Sequence, residues 1–248
     1  MGFALFRSAP LIDDVSARWM STVFDWALSQ FEAPYFHRHT PLVRPDNTHF
    51  PGRAASIEEM AANLLRHTLA HAGLSHWPHQ LVEVRNLEAL PPSPLTPAQA
   101  RRAEPPTPAA EQLPLVIPYD AAQVNDPQTL VASYATFLGH HLGELATVPA
   151  PATVEQQPLV AELVGIYLGF GVLFANSAFA FKGGCGSCRP GFQRTAYLSQ
   201  DEAVYALALF CRHKQLEARE VLPHLKKHLR PIYKKARKEL QRRIEEAH

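Results

Sequence analysis

The chain has 248 residues, 24 of them Lys or Arg against 23 Asp or Glu, and 46% are hydrophobic. That balance excludes a disordered, collagenous or supercharged protein and fits an ordinary globular chain of one large domain or two small ones. At this length folding buries roughly three quarters of the surface that the unfolded chain exposes, so a core forms without disulfide staples. Three cysteines are an odd number for a disulfide framework, and Cys185 and Cys188 form one short C-x-x-C. Both facts point to a reducing compartment, the cytoplasm. The start, Met1 to Arg7, has no basic stretch ahead of a long apolar run and no Ser or Thr at position 6, so neither a cleaved leader nor a myristoyl anchor is expected.

Val15, Trp19, Val23, Trp26 and Leu28 recur at helical spacing behind Asp13 and Asp14, either of which can cap a helix over 14–31. Residues 41–51 carry three prolines and hold at most short edge strands or an extended loop. Ser56 and Glu59 form a capping box for a helix through Ala72, which Gly73 stops. Residues 77–87 alternate apolar and polar from Leu81 onward, as a half-buried strand does. From Pro91 to Pro114 eight prolines accompany Ala, Glu and Arg. That leaves too little apolar surface to offset the entropy of ordering, and the stretch reads as a mobile loop, an excursion outside the catalytic machinery.

Order resumes with a short strand at 115–119. Asp126 and Pro127 then supply an N-cap and first-turn proline for a helix to about Ala146. Another helix begins near Thr153 or Pro158 and runs to about Phe181. Within it Leu163–Phe181 holds no charge and one amide, Asn176, which meets the length criterion for a membrane span. Glycines at 165, 169 and 171 weaken it as an isolated helix, and no second segment resembles it. A buried core helix is therefore the preferred reading, with Gly165, Gly169 and Ala175 admitting a close neighbour. Ser199 and Glu202 cap a further helix through about His213, and the tail from Glu217 is helical, in two pieces divided at Pro231. There is no internal repeat.

The segments Ile117-Pro118-Tyr119-Asp120, Asp126 through His140 and Leu168 through Asn176 resemble a family of uncharacterised bacterial proteins with a zincin-type metallopeptidase core. The likeness extends to Leu42-Val43 and Pro45, Phe50-Pro51, Tyr197-Leu198-Ser199 and Tyr205 through Phe210, most of the chain outside the Pro-rich insert. The resemblance implies a helix bearing His-Glu-x-x-His. Histidines four apart on one face share a zinc ion, the Glu activates its water, and an acidic residue of the next helix completes the site. In this chain that motif falls on Thr136-Phe137-Leu138-Gly139-His140, which keeps only the second histidine. Thr136 cannot replace an imidazole and Phe137 holds no proton. The expectation is a catalytically degenerate protein without a cofactor, acting through another macromolecule.

A rearranged hydrolase is the alternative. His140 and Glu144, four apart on one face, with Glu162 on the next helix, could hold zinc, leaving His141 or Glu144 as catalytic groups. The competing reading packs His140 under the apolar helix and leaves His141 and Glu144 in a solvated patch. An inverted His-x-x-Glu-His motif at His141 fails, because Leu145 follows Glu144.

Cys185, Cys188, Cys211 and His213 supply the inventory of a structural Cys3His zinc site. On a helix, however, Cys211 and His213 point about 200° apart, which opposes shared ligation unless the helix ends at Phe210. His67 and His71 are also four apart, with no acidic residue between them, and read as an exposed face. Residues 212–248 carry a net +7 against −6 for the remainder. A basic helix of this kind can meet nucleic acid, an anionic membrane surface or an acidic partner. It can also dock Leu222, Leu225, Leu229, Ile232, Tyr233 and Leu240 on the core with its charges in water, and no nucleic-acid-binding motif accompanies it. Phosphate loops, G-x-S-x-G elbows and kinase signatures are absent. The reading as a whole is a single α+β, predominantly helical, zincin-like domain over 1–248 with a Pro-rich loop at 91–114 and a basic helical tail at 217–248.

Overall fold

A computed structural model of the chain describes residues 9–100, 113–178 and 196–246. The architecture is predominantly helical α+β, as the patterning predicts. Helix α1 (Asp14–Gln30) starts at Asp13, whose Oδ1 accepts from the amides of Val15 and Ser16 at 2.9 Å. Helix α2 (Ala33–His39) follows directly, a seven-residue element too short for periodicity to show. Helix α3 (Ile57–Ala72) begins at Ser56, whose Oγ accepts from Glu59 N at 3.1 Å. The Glu59 carboxylate reaches one residue beyond the expected box and accepts from Ala55 N at 2.7 Å. Gly73, in the left-handed region at φ 73°, ends the helix.

Strands β1 (His79–Glu83) and β2 (Leu115–Tyr119) pair in parallel, from His79 opposite Leu115 to Glu83 opposite Tyr119. Of the Pro-rich stretch between them, residues 91–100 are described. A single turn at Pro97–Gln99 buries Gln99, whose carbonyl accepts from Trp77 Nε1 at 2.9 Å and from His76 Nε2 at 3.0 Å. Residues 101–112 lie outside the described residues.

Helix α4 (Pro127–Glu144) is capped by Asp126, whose carboxylate accepts from Thr129 Oγ1 at 2.7 Å. The long apolar helix expected next is interrupted. Helix α5 (Gln157–Gly165) widens into a turn of π-type at Ile166–Phe170 and continues as α6 (Gly171–Ser177). The break sits at Gly169, whose φ of 105° only glycine adopts readily. Its carbonyl accepts from Val43 N at 3.0 Å, and a Cβ there would overlap the Pro41 carbonyl oxygen, so the loop after α2 lies against a helix that has no side chain at that point. The stretch Val154–Ser177 is long and apolar enough to cross a membrane, yet 89% of its most apolar window is buried inside the protein. It is the central core element. Around it Tyr167 stacks on Phe36 at 4.8 Å and meets Phe24 edge-on at 5.7 Å, while its hydroxyl donates to the Phe31 carbonyl.

Helix α7 (Gln200–His213) carries the reciprocal box read from Ser199 and Glu202, with bonds of 3.3 and 2.8 Å. Helices α8 (Ala218–Val221) and α9 (Leu229–Glu245) follow. The division of the tail is at residues 222–228 and not at Pro231, which is the third residue of α9, where a missing N–H breaks no helical bond. Leu225, Leu229, Tyr233, Ala236 and Leu240 are buried against the core, Leu222 and Ile232 pack at its edge, and Lys226, Lys227, Lys234 and Lys238 stay exposed.

Candidate functional site

One face of α4 packs into the core through Leu130, Tyr134, Leu138 and Leu142, and α4 crosses α5 where Gly139 lies against the backbone of Ala161 and Gly165. A second stripe of α4, at three- and four-residue spacing, comprises Ser133, Thr136, Phe137, His140, His141 and Glu144. It forms the floor of a groove of about 540 Å³. The walls are Leu90 to Ser93 after β1, Leu115 and Val116 of β2, the start of α5 at Gln157, Pro158 and Ala161, and Tyr197. The first residues of the Pro-rich segment, read as an excursion, are thus part of the cleft. Their signal was the apolar Leu90-Pro91-Pro92 run at the start of that segment.

At one end of the floor three polar side chains converge. His141 Nδ1 lies 3.0 Å from Glu144 Oε2, and His140 Nε2 lies 3.4 Å from Glu144 Oε1. One ligand atom from each residue falls within 4.8 Å of the others, the one such group of three His, Cys, Asp or Glu residues among those described. The expected burial pattern is inverted. The His140 side chain is 50% exposed, whereas that of His141 is 11% exposed, with its ring 4.5 Å from that of Phe137. The reason is register: His141 continues the buried series Leu130, Tyr134, Leu138, and His140 is turned out of it. That spacing was available in the sequence. Burial away from water holds the His141 imidazole below its ordinary pKa, so the neutral ring is favoured.

Glu162, also a candidate metal ligand, does not join this group. Ala161 is the α5 residue that faces α4 and the groove; Glu162, about 100° further around the helix, is fully buried and accepts from Leu198 N at 2.8 Å. Of the four residues of the Cys3His reading, Cys211 and His213 are described. Helix α7 runs through His213, so the two side chains diverge: Cys211 is buried, with its thiol pushed up to about 12 by desolvation, while His213 stacks on Phe24 of α1 at 5.2 Å. Cys185 and Cys188 lie outside the described residues.

His67 and His71 are part-buried and not an exposed face. Both pack on Phe50, His71 also lies against the His49 ring at 5.2 Å, and His71 Nε2 donates to the His49 carbonyl at 2.8 Å. Desolvation lowers the pKa of His67, His71, His141, His213 and His224 below the ordinary 6.5. The unfolded chain therefore takes up protons at a pH where the folded chain does not, and stability falls as pH drops below about 6.5. Urea unfolding followed from about pH 7.5 to about pH 5.5 is expected to show this loss, and His213→Gln is expected to flatten it. A midpoint independent of pH over that range would refute the assignment of these rings as neutral and buried.

No protein-family model, no curated protein and no solved structure matches the chain.

Proposed function

We propose that this chain is a catalytically degenerate, metallopeptidase-like protein of the cytoplasm whose groove holds an extended polypeptide without cleaving it. The observation that carries the reading is the floor of the groove. Thr136 and Phe137, which stand where the resembled family's first zinc ligand and general base would be, both line it. The Thr136 hydroxyl donates to the Ala132 carbonyl of its own helix at 3.0 Å, and Phe137 packs on the core. Thr136 cannot replace an imidazole in a strong zinc site, and Phe137 can neither hold nor transfer a proton. What surrounds them suits a peptide. Leu90 and Tyr197 are large apolar side chains left 53% and 49% exposed on the walls, and β2 contributes Leu115 and Val116 while pairing only with β1 among the described residues. A groove of apolar pockets beside a strand is how extended chains are captured.

The test uses the whole chain and a fluorescent, reduced and carboxymethylated unfolded protein as probe. Saturable binding is expected, weakened about tenfold or more by Leu90→Asp and by Tyr197→Asp, with the probe recovered intact. Fragments that appear with added zinc and vanish in Glu144→Gln would replace this reading with the rearranged hydrolase. Absence of binding would remove it.

A further inference from the structure

We propose that His140, His141 and Glu144 form a binding site for a divalent transition metal of the zinc class at the end of the groove. The site is one turn beyond the position where the resembled motif would place it. It deepens the groove reading by making a metal ion part of the floor, and rests on that reading only for the ligand that completes the coordination shell.

The geometry is close to what zinc needs. Two imidazole nitrogens and a carboxylate oxygen about 2.1 Å from a tetrahedral ion lie about 3.4 Å from one another. The two imidazoles contact Glu144 through different carboxylate oxygens, at 3.0 Å to Oε2 and 3.4 Å to Oε1, and one donor atom of each of the three residues lies within 4.8 Å of the others. The remaining approach falls to His140, whose side chain is half exposed, while His141 is buried against Phe137. At present the His141–Glu144 hydrogen bond places the proton on Nδ1. Metal ligation takes the Nδ1 lone pair and moves that proton to Nε2, so no net proton is released there. Glu144 is the last residue of α4, where the negative end of the helix opposes a carboxylate. A cation between it and the imidazoles removes that conflict. The donor set of two nitrogens and one oxygen selects zinc and its neighbours over magnesium or calcium.

Three protein ligands leave a coordination position open to the groove. Glu144, consumed as a ligand, is the only carboxylate lining it among the described residues, and none of these is left to serve as a general base beside the metal. The ion therefore anchors a donor group of the bound chain, a side-chain imidazole or carboxylate, in place of activating water.

Zinc titration against a chromophoric chelator, and the visible spectrum of the cobalt(II) form, test the site. Both use chain carrying Cys185→Ser and Cys188→Ser, so that thiols do not contribute. One equivalent is expected, with affinity reduced about tenfold or more in His140→Ala, His141→Ala and Glu144→Gln, each checked for native circular dichroism. His140 and Glu144 are half exposed, so their variants keep the test decisive even where His141→Ala unfolds. No stoichiometric uptake, or uptake indifferent to His140→Ala and Glu144→Gln, overturns the site. The unfolded-protein probe separates the two proposals. Probe bound in the presence of chelator with no zinc taken up overturns the metal site alone, and zinc bound with no probe binding overturns the groove reading alone.

Discussion

Gly139→Ala is expected to destabilise the chain by about 2–4 kcal/mol, a large share of the roughly 5–15 kcal/mol that holds a domain of this kind folded. Two effects compete. Alanine is the better helix former by about 1 kcal/mol in a helix interior, which favours the variant. Against it, the added Cβ would overlap the Ala161 carbonyl oxygen and come within 3.0 Å of Gly165 N. Both are backbone atoms of the central helix, which cannot turn aside as a side chain could. Packing decides the sign. Gly143, four residues along the same helix, provides the control, since a Cβ there meets nothing nearer than Trp26 Cη2 at 4.0 Å. Gly143→Ala is expected to be neutral or stabilising by up to about 1 kcal/mol. Urea midpoints of the two variants measured side by side check the argument. A Gly139→Ala midpoint at or above that of the parent would show that α4 and α5 do not cross at this point.

Asn176→Ala should cost about 3 kcal/mol and loosen the start of the tail before the rest of the protein. Asn176 is the single amide of the apolar window, 4% exposed, and its hydrogen-bonding groups are well used. Nδ2 donates to Gln128 Oε1 at 2.8 Å and to the His224 carbonyl at 3.0 Å, and Oδ1 accepts from Lys226 N at 3.0 Å. Removing the amide strands a carbonyl and an N–H of the turn between α8 and α9, each at about 1–3 kcal/mol when kept from water. Opening that turn relieves the penalty at the expense of docking, so amide exchange at Lys226 should accelerate more than exchange in α7. Uniform acceleration across the chain, or none at Lys226, would mean that the clamp is not what seats the tail.

These two residues also show where reading the chain alone stops. Asn176 stood out as the one polar side chain in an apolar run, but its partners lie 48 to 50 residues away and no local rule names them. The helix starts were legible because their causes are local. Asp13, Ser56, Asp126 and Ser199 each satisfy an amide no more than three residues ahead, and each opens a helix within a residue of the expected place. The break at Gly169 was not legible, because the amide that its carbonyl receives belongs to Val43, and glycine in a helical run is ambiguous until that neighbour is known. The candidate site divides in the same way. Thr136, Phe137, His140, His141 and Glu144 follow one another along one helix at contact spacing, so their grouping was foreseeable; the exclusion of Glu162 was not, since it depends on how α5 is rotated against α4.

Short-range chemistry therefore dictated the element types, their caps and the apolar centre of the fold. Folding in three dimensions settled which imidazole of the His140–His141 pair is buried, that Glu162 serves Leu198, that Leu90 to Ser93 wall a groove, and that the apolar helix bends. Capping bonds and side-chain periods act over one or two turns and are written into adjacent residues. Burial, rotation and close approach are set by contacts between segments far apart in the chain, where many pairings share the same local pattern and only joint packing selects one.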